Sequence, residues 1–412
     1  MSGSRLVLAF LVLLDALLLF SQTSQFSISY RESVFLEHFS VLSFLTNISL
    51  EFFTNRDIGL RFVVILLHLM SAILLYIVSK EYLFKQKDRL WLVFIFMLLP
   101  GSMSSAIVVN EASLLIFGLF LFMFVEKRYP KYYLYSLLIL FSFLAQDFIY
   151  LFSALLIFSI YKKDKECFTI NLSAILISLY NFNFVIKGVP SNHFMDILGI
   201  YAAVFSPIIF IYIFYTLYRY YLKKEIDKIW FVATFVFIYT IALSFRQKIY
   251  IEHYAPYFIM ALPLAAKTFI YSYRIRLKMY RVKYKFMFFL AVIFLGFNAL
   301  VVFYNKKIYN YLEKPQKHFA YDMHIAKDLA KVLKENKIDC IDSNRKMEPR
   351  LKFYGVGKCT KYVLHKHNLN ISPILNVEIS YNDRVVYKRY VTKINSKESY
   401  LKDRVFLEEI NK

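Results

Sequence analysis

The residues of this sequence that could do acid–base chemistry are carboxylates at the ends of long apolar runs. Glu32 follows the first run, and Glu111 and Asp147 each interrupt a nearly continuous apolar stretch. Cationic side chains border the same runs: Arg31, Arg61, Arg246, Lys248 and His253. A carboxylate can act as a general base, and cationic groups can hold a phosphate. Each of these residues, taken alone, could also be a solvated helix end or half of an ion pair.

The elements that must position these residues are apolar helices. The 412-residue chain is 58% hydrophobic and has a mean hydropathy of +0.47, whereas a soluble domain is about 45–50% apolar. This composition excludes a purely soluble enzyme. The apolar segments lie at 5–21, 58–79, 90–109, 112–125, 131–146, 148–161, 167–186, 197–218, 229–245, 254–273 and 286–304. We therefore predict a mainly α fold, a polytopic transmembrane helical bundle of about eleven spans.

Two stretches, 90–125 and 131–161, are long enough to be either one long helix or a hairpin of two short ones. Clusters of Lys and Arg border both ends of each stretch. Positive charge is retained on the cytoplasmic side, so both ends of each stretch should face that side. The sequence therefore predicts hairpins that turn at Asn110-Glu111 and at Gln146-Asp147.

Lys and Arg are distributed unequally between the two sets of loops that these hairpins create. One set holds 20 basic residues and the opposite set holds 5. This asymmetry predicts a cytoplasmic N-terminus and an external C-terminal region. We expect an integral protein of the bacterial inner (cytoplasmic) membrane, with the region after residue 304 periplasmic or external.

The net charge of +22 could suggest a nucleic-acid partner, but its distribution does not. Residues 305–412 hold 23 of the 51 basic residues and 13 of the 29 acidic ones, and most of the other basic residues lie in short loops. No nucleic-acid-binding motif is present. We expect membrane lipids as partners and no nucleic acid.

The pattern divides the chain into two predicted domains. Residues 1–304 form the transmembrane domain, with an external loop at 22–57, and 305–412 form a small extracytoplasmic α/β domain. Within the second domain we predict an amphipathic helix at His324–Lys337 and short strands at Ile338–Asp342 and Tyr362–Leu364. We also predict a hairpin at 376–392 that turns at Asn382-Asp383.

Cysteines are few, and two of the three lie in the predicted external domain. Eighteen residues separate Cys340 from Cys359, and no His pair accompanies them. An oxidising exterior favours a disulfide bond between them over a metal site.

Asp15 lies in the middle of the first apolar run. An intramembrane carboxylate is a functional candidate by default. The alternative is a hydrogen bond between helices, for example with Ser71 or Asn298. The sequence leaves both interpretations open.

This layout resembles that of the polytopic GT-C glycosyltransferases, which include the lipid A aminoarabinose transferase type and the protein O-mannosyltransferases. Their external loop carries the motif Asp-Glu-Ala-x-Tyr after the first helix. Here Glu32, Ser33 and Phe35 fit the second, third and fifth positions, and Arg31 replaces the first acid.

Two further positions fit the same family. Arg61 matches an Arg that leads the second helix, and Asn110-Glu111-Ala112 stands where these proteins carry a second acidic motif. The family's external α/β domain corresponds to 305–412.

The resemblance implies transfer of a sugar from a polyprenyl-phosphate donor to a lipid, glycan or protein acceptor on the external face. Glu32 and Glu111 are the predicted catalytic residues: Glu32 would be the general base or would orient the acceptor, and Glu111 would be its partner. The predicted substrate-binding residues are Arg31, Arg61, Arg246, Lys248 and His253. Arg246 and Lys248 are the best candidates for the positive charge that stabilises the departing phosphate. No cofactor is firmly implied; a divalent metal stays open, although no ligand spacing supports one.

Two alternatives remain at this point, a lipid-linked oligosaccharide ligase and a transporter or flippase of cell-envelope glycans. A transporter usually shows repeated halves, and the sequence has no such repeat.

Overall fold

The computed structural model describes residues 3–182, 193–366, 373–382 and 384–393. The described chain is mainly helical, with one small sheet near its C-terminal end. The α-helices are α1 (Gly3–Thr23), α2 (Tyr30–Glu37), α3 (Val41–Phe52), α4 (Arg56–Val78), α5 (Gln86–Leu98), α6 (Pro100–Ile107), α7 (Ala112–Arg128), α8 (Lys131–Leu144), α9 (Ile149–Lys162), α10 (Lys165–Asn181), α11 (Phe194–Phe205), α12 (Pro207–Leu222), α13 (Lys228–Ser244), α14 (Ala255–Ile259), α15 (Leu262–Ile275), α16 (Lys278–Phe303), α17 (Ile325–Glu335) and α18 (Glu348–Phe353). Short 3₁₀ turns lie at Ser79–Glu81, Gln146–Phe148, Ile251–His253, Asn305–Tyr311, Pro315–Lys317 and Tyr321–Met323.

Three apolar segments expected to be continuous are broken where a proline occurs. Pro100 begins α6, Pro207 begins α12, and Pro263 is among the first residues of α15. The axes bend by 59° between α5 and α6 and by 106° between α11 and α12. A proline cannot donate the hydrogen bond of a helix interior but fits the first helical turn, so each run ends and restarts.

Length and composition identify three described helices that could cross a membrane: α1, the helix that continues from Arg56 to Glu81, and α16. Counting each bent helix pair as one span raises this number to six. The helices α8 and α13 are apolar but shorter. The total of eleven spans stays a prediction.

The chain divides into two compact units. The first comprises Met1–Leu19, Ser40–Leu45 and Arg61–Ala299, and the second comprises Phe20–Phe39, Thr46–Leu60 and Leu300–Lys412. The second unit therefore includes parts of the predicted external loop as well as the predicted α/β domain.

In the first unit, Asp15 makes a hydrogen bond between helices. Its Oδ2 lies 3.0 Å from Nε2 of His68, which is on α4. The His68 ring is buried and stacks on Phe96 of α5, with centroids 5.2 Å apart. The helix-to-helix hydrogen bond considered from the sequence is present, and its partner is His68 rather than Ser71 or Asn298.

The second unit contains a three-stranded antiparallel sheet in the order β1-β3-β2, formed by β1 (Tyr362–His365), β2 (Leu375–Tyr381) and β3 (Arg384–Lys393). The helix α17 buries Ile325, Leu329 and Leu333 in a core that it shares with the sheet. The predicted helix, β1 and hairpin are all present, although Asp383 lies outside the described residues. The segment 338–342 forms isolated parallel bridges at Cys340 and Asp342 instead of a strand.

Cys340 and Cys359, the pair expected from the sequence, form a disulfide bond with Cα atoms 5.4 Å apart. The bond joins two segments that already exchange backbone hydrogen bonds, since the Gly357 amide donates to the Asp339 carbonyl at 2.8 Å. It therefore reinforces an edge of the α/β core.

Within the second unit, a buried polar network joins Asp57, at the N-terminal end of α4, to residues near the C-terminal end of the chain. Asp57 is 2% exposed, accepts a hydrogen bond from the Tyr354 hydroxyl at 2.5 Å and lies 2.7 Å from the Lys327 ammonium. The Tyr354 oxygen in turn accepts from the Ile28 amide at 3.0 Å. A buried carboxylate is tolerated when it is paired in this way.

Candidate functional site

Three breaks between helices of the first unit carry the residues of the candidate site. Glu111 directly precedes α7, Asp147 lies in the 3₁₀ turn between α8 and α9, and His253 lies in the 3₁₀ turn before α14. Breaks of this kind expose backbone and can carry polar side chains in an otherwise apolar chain. All three residues were singled out from the sequence, but only Glu111 and His253 were assigned a catalytic or binding role there.

The turn that carries Glu111 is built by polar side chains. The Asn110 side chain accepts a hydrogen bond from the Ala112 amide at 3.1 Å, which forms an Asx turn leading into α7. The Arg61 guanidinium is fully buried, and its Nε donates to the Ile107 carbonyl at 2.7 Å. A cation at a helix C-terminus is stabilised by the helix dipole. Arg61, expected from the sequence to bind substrate, thus holds the end of α6 four residues before Glu111.

The turn that carries Asp147 is held by aromatic packing. Phe148 is fully buried and stacks on Phe141 at a centroid distance of 4.3 Å. Gly118 of α7 packs directly against this ring, since a Cβ placed on Gly118 would lie 2.4 Å from Phe148 Cζ. The Tyr257 hydroxyl donates to the Asp147 backbone carbonyl at 2.7 Å. The hydrogen bond therefore holds the backbone of Asp147 in place, and packing holds the side chain of Phe148 next to it.

Asp147 and His253 form a close pair. The Asp147 Oδ2 lies 2.6 Å from the His253 Nδ1, and Asp147 is only 5% exposed. Burial lowers the pKa of His253, but the hydrogen bond and negative charge of Asp147 outweigh burial, so the pKa is raised above its ordinary value of 6.5. The pair therefore favours the protonated form of the His253 imidazole.

Glu111 belongs to the same electrostatic cluster. The pKa of its carboxyl is raised from 4.5 to about 7. Burial is the largest cause, the negative charge of Asp147 also raises the pKa, and His253 lowers it. A carboxyl that titrates near neutral pH is suited to proton transfer, because both of its protonation states are accessible. Pairs of groups whose pKa values are shifted in this way mark candidate acid–base sites.

Tyrosines surround the pair. The hydroxyls of Tyr150 and Tyr254 lie 2.9 Å apart, and the Tyr150 ring also contacts Tyr239, at a centroid distance of 5.7 Å. Tyr254 directly follows His253. These hydroxyls and rings could contact a polar, hydroxylated ligand beside the carboxylates.

The two cations predicted to hold a phosphate, Arg246 and Lys248, lie in the segment between α13 and the turn of His253. Both side chains are exposed. They are therefore close in sequence to His253 and accessible to a ligand.

Glu32 and Arg31 lie in the second unit, in the first turn of α2. Glu32 is fully buried, and its Oε2 accepts a hydrogen bond from the Ser29 amide at 2.8 Å. The Ser29 hydroxyl accepts in return from the Glu32 amide at 3.2 Å, which completes a capping box. Arg31 is exposed. The structure thus gives Glu32 a local role at a helix N-terminus, and its catalytic role stays a prediction.

From the sequence, Asp147 was named as a candidate carboxylate but was given no catalytic or binding role, and its tyrosine neighbours were not singled out. Asp147 was identified as a turn residue, but its partner His253 lies 106 residues away. The one available signal was a carboxylate that interrupts an apolar run. No group of three or more His, Cys, Asp or Glu that could hold a metal ion occurs in the described ranges.

Comparison with known proteins gives a fold relationship. Neither a protein-family profile nor a curated protein sequence matches this chain. The crystal structure of ArnT from Cupriavidus metallidurans in the apo state is similar over 93% of this chain and 97% of that chain, with a TM-score of 0.54 and 11% sequence identity. The chain therefore has the fold of ArnT, a GT-C fold. This fold and the apolar helices together indicate an integral membrane protein.

Proposed function

We propose that this protein is a GT-C membrane glycosyltransferase that moves a sugar from a polyprenyl-phosphate donor to a lipid, glycan or protein acceptor. The observation that carries the proposal is the cluster of Glu111, Asp147 and His253, in which the pKa of the Glu111 carboxyl is raised to about 7 and the His253 imidazole pairs with Asp147. The ArnT-like fold supports the same reaction class. We place the reaction at the external face of the bacterial cytoplasmic membrane, with the N-terminus cytoplasmic, because of the asymmetry of basic loops.

Glu111 is the proposed general base. An acceptor hydroxyl is a weak nucleophile, and removal of its proton by a positioned carboxylate accelerates its attack. The acceptor oxygen then bonds to the anomeric carbon, while the bond from that carbon to the phosphate oxygen breaks. The proton stays on Glu111, and the polyprenyl phosphate leaves with the electron pair. Direct displacement of this kind inverts the anomeric centre.

The phosphate that leaves needs positive charge rather than a proton. His253, kept protonated by Asp147, supplies one charge, and the exposed Arg246 and Lys248 supply two more. Charges placed where negative charge develops stabilise the transition state.

Glu32 and Arg31 are proposed, on the family resemblance, to contribute to the same reaction. Glu32→Gln tests this, because Gln at this position preserves a capping box and removes basicity. A base role predicts a folded variant with about 10²–10⁴-fold slower transfer. Turnover equal to that of wild type would leave Glu32 with its capping role alone.

The experiment that tests the proposed function measures consumption of a lipid-linked sugar. Purified full-length protein is incubated with a polyprenyl-phosphate sugar preparation and a membrane extract as the acceptor source. Release of polyprenyl phosphate is followed by mass spectrometry. Wild-type protein should release it, and Glu111→Gln should do so about 10²–10⁴-fold more slowly.

A matched control is available in the same unit. Asp196 and His193 form a second carboxylate–imidazole pair, with Oδ2 and Nδ1 2.9 Å apart, but the Asp196 side chain is 70% exposed. Asp147→Asn should slow release strongly, whereas Asp196→Asn should not. No release by the wild-type protein from any polyprenyl-phosphate sugar would contradict the proposal.

A further inference from the structure

A cavity of about 410 Å³ lies between α7 and α8 in the first unit. We name it the α7–α8 groove; its lining includes Phe124, Tyr129, Tyr133, Ser136, Leu137 and Leu140. Ser136 supplies the one side chain in this set that is neither aromatic nor aliphatic. Tyr133, Leu137 and Leu140 repeat at the spacing of one helical face, so the groove follows the axis of α8. Its volume is in the range of small-molecule sites, about 300–1,000 Å³.

The groove adjoins the basic turn between the two helices, since Tyr129 of this turn is part of its lining. The Arg128 guanidinium stacks over the ring of Phe124, which lines the groove, at 5.3 Å. Its neighbours Lys127 and Lys131 lie 3.5 Å and 3.9 Å from the carboxylates of Glu126 and Asp164. Arg128 has no carboxylate within ion-pair distance in the part of the chain that the structure describes. An apolar groove therefore ends at a cation that is available to an anion.

The basic end of the groove is far from the candidate catalytic site. Glu111 directly precedes α7 and Arg128 ends it, and 17 helical residues rise by about 25 Å. A lipid whose phosphate contacts Arg128 therefore has its headgroup at the opposite end of α7 from Glu111. A donor that presents its sugar to Glu111 would be oriented the other way.

We propose that the α7–α8 groove binds one anionic phospholipid, with an acyl chain along α8 and its phosphate against Arg128. The helices are apolar on the surfaces that form the groove, so in a membrane its occupant is a lipid chain. The unpaired guanidinium selects an anionic headgroup over a zwitterionic one, because cations near a membrane surface attract anionic lipids. This site does not depend on the proposed transferase activity.

The test uses native mass spectrometry of the full-length protein in detergent. Equal amounts of dioleoyl phosphatidylglycerol and dioleoyl phosphatidylcholine are added, so that the two lipids differ in headgroup alone. Wild-type protein should retain one phosphatidylglycerol in preference to phosphatidylcholine. Arg128→Gln should lower this retention about five-fold, the effect expected for one cation near the surface.

Two further variants separate the groove from general surface charge. Ser136 is exposed, so Ser136→Phe should fold, fill the groove and lower phosphatidylglycerol retention at least ten-fold. Lys87 is exposed and outside the groove, so Lys87→Gln should leave retention unchanged. Equal retention of the two lipids, or unchanged phosphatidylglycerol retention in either Arg128→Gln or Ser136→Phe, would overturn the proposal. An equal loss in Lys87→Gln would do so as well.

Discussion

At the scale of single residues, the cluster of Glu111, Asp147 and His253 predicts how the reaction rate depends on pH. The base must be ionised, so kcat/KM should rise as pH passes the pKa of Glu111 at about 7. The imidazolium must be protonated, so kcat/KM should fall as pH passes the raised pKa of His253. The expected profile is a bell whose rising limb lies near pH 7, and its two apparent pKa values belong to the coupled cluster.

His253→Gln provides the comparison for this profile. Gln cannot titrate, so the variant should be slower at its optimum and should lose the fall at high pH. If the variant is slower but its kcat/KM still falls at high pH, a group other than His253 causes that fall.

The raised pKa of Glu111 also makes a prediction about stability. The folded protein holds this proton more tightly than the unfolded chain, so the stabilisation is complete below pH 4.5 and is lost as pH rises through about 7. At about 1.4 kcal/mol per pKa unit, full ionisation costs the fold on the order of 3 kcal/mol. Glu111→Gln should therefore raise Tm at pH 8.5 and change it little at pH 5.

Thermal unfolding of the purified protein at these two pH values measures the effect. Asp196→Asn, at an exposed carboxylate, should shift Tm little at either pH. An equal loss of Tm in Glu111→Gln at both pH values would show that the carboxylate stabilises the fold rather than straining it.

Part of this site is predictable from the sequence and part is not, because the two parts depend on different physical features. Glu111 and His253 stand out because a charged group at the end of an apolar run is costly unless it is paired or used. Asp147 carries the same signal, but its distance of 2.6 Å from His253 results from the packing of distant helices. The contact of the buried Arg61 Nε with the Ile107 carbonyl likewise joins distant residues, and the substrate-binding role of Arg61 stays a prediction.

At the scale of secondary-structure elements, the lengths of the apolar runs predict the helices and their approximate bounds. They do not predict several of the breaks between helices. The hairpin arrangement itself stays a prediction. The breaks near Glu111 and Asp147 were expected from flanking charge. The breaks at Pro100, Pro207 and Pro263 were not, because hydropathy continues across them. Backbone hydrogen bonding rather than polarity sets these ends.

The contact between α7 and the turn of Asp147 gives a prediction at this scale. A Cβ on Gly118 would lie 2.4 Å from Phe148 Cζ and 3.4 Å from Phe141 Cζ. Gly118→Ala should therefore destabilise the protein by about 1–3 kcal/mol, the usual cost of overpacking. It should also slow transfer, because Phe148 adjoins Asp147.

Gly199 of α11 is the matched control, since nothing lies within 4 Å of a Cβ placed there. Gly199→Ala should be neutral or stabilise the protein by up to about 1 kcal/mol, because Ala favours a helix. Thermal unfolding and transfer rates of both variants are the measurements. A Gly118→Ala variant as stable and active as Gly199→Ala would remove the packing argument for the position of Asp147.

At the scale of the whole molecule, the class of fold was predictable and the arrangement of its spans was only partly so. Composition is sufficient to indicate a helical membrane protein, and the ArnT-like fold agrees. The division into units differs from a simple cut after residue 304, because Phe20–Phe39 and Thr46–Leu60 belong with the C-terminal unit. Contacts such as that of Asp57 with Tyr354 join residues 297 positions apart, and no local pattern encodes them.

Membrane topology is the prediction that belongs to this scale. Reporter fusions placed after Arg128 and after Lys165 should both report the cytoplasm, because both sites follow basic turns. An external signal at either site would contradict the hairpin arrangement and would move Glu111 or Asp147 to the cytoplasmic face.

The most direct test of the central claim compares lipid-linked sugars in cells with and without this protein. Mass spectrometry of lipid extracts should show one polyprenyl-phosphate sugar that accumulates in cells lacking the protein. Wild-type protein should clear it, and Glu111→Gln, produced at the same level, should not. Identical lipid-linked sugar profiles in all three strains would contradict the account.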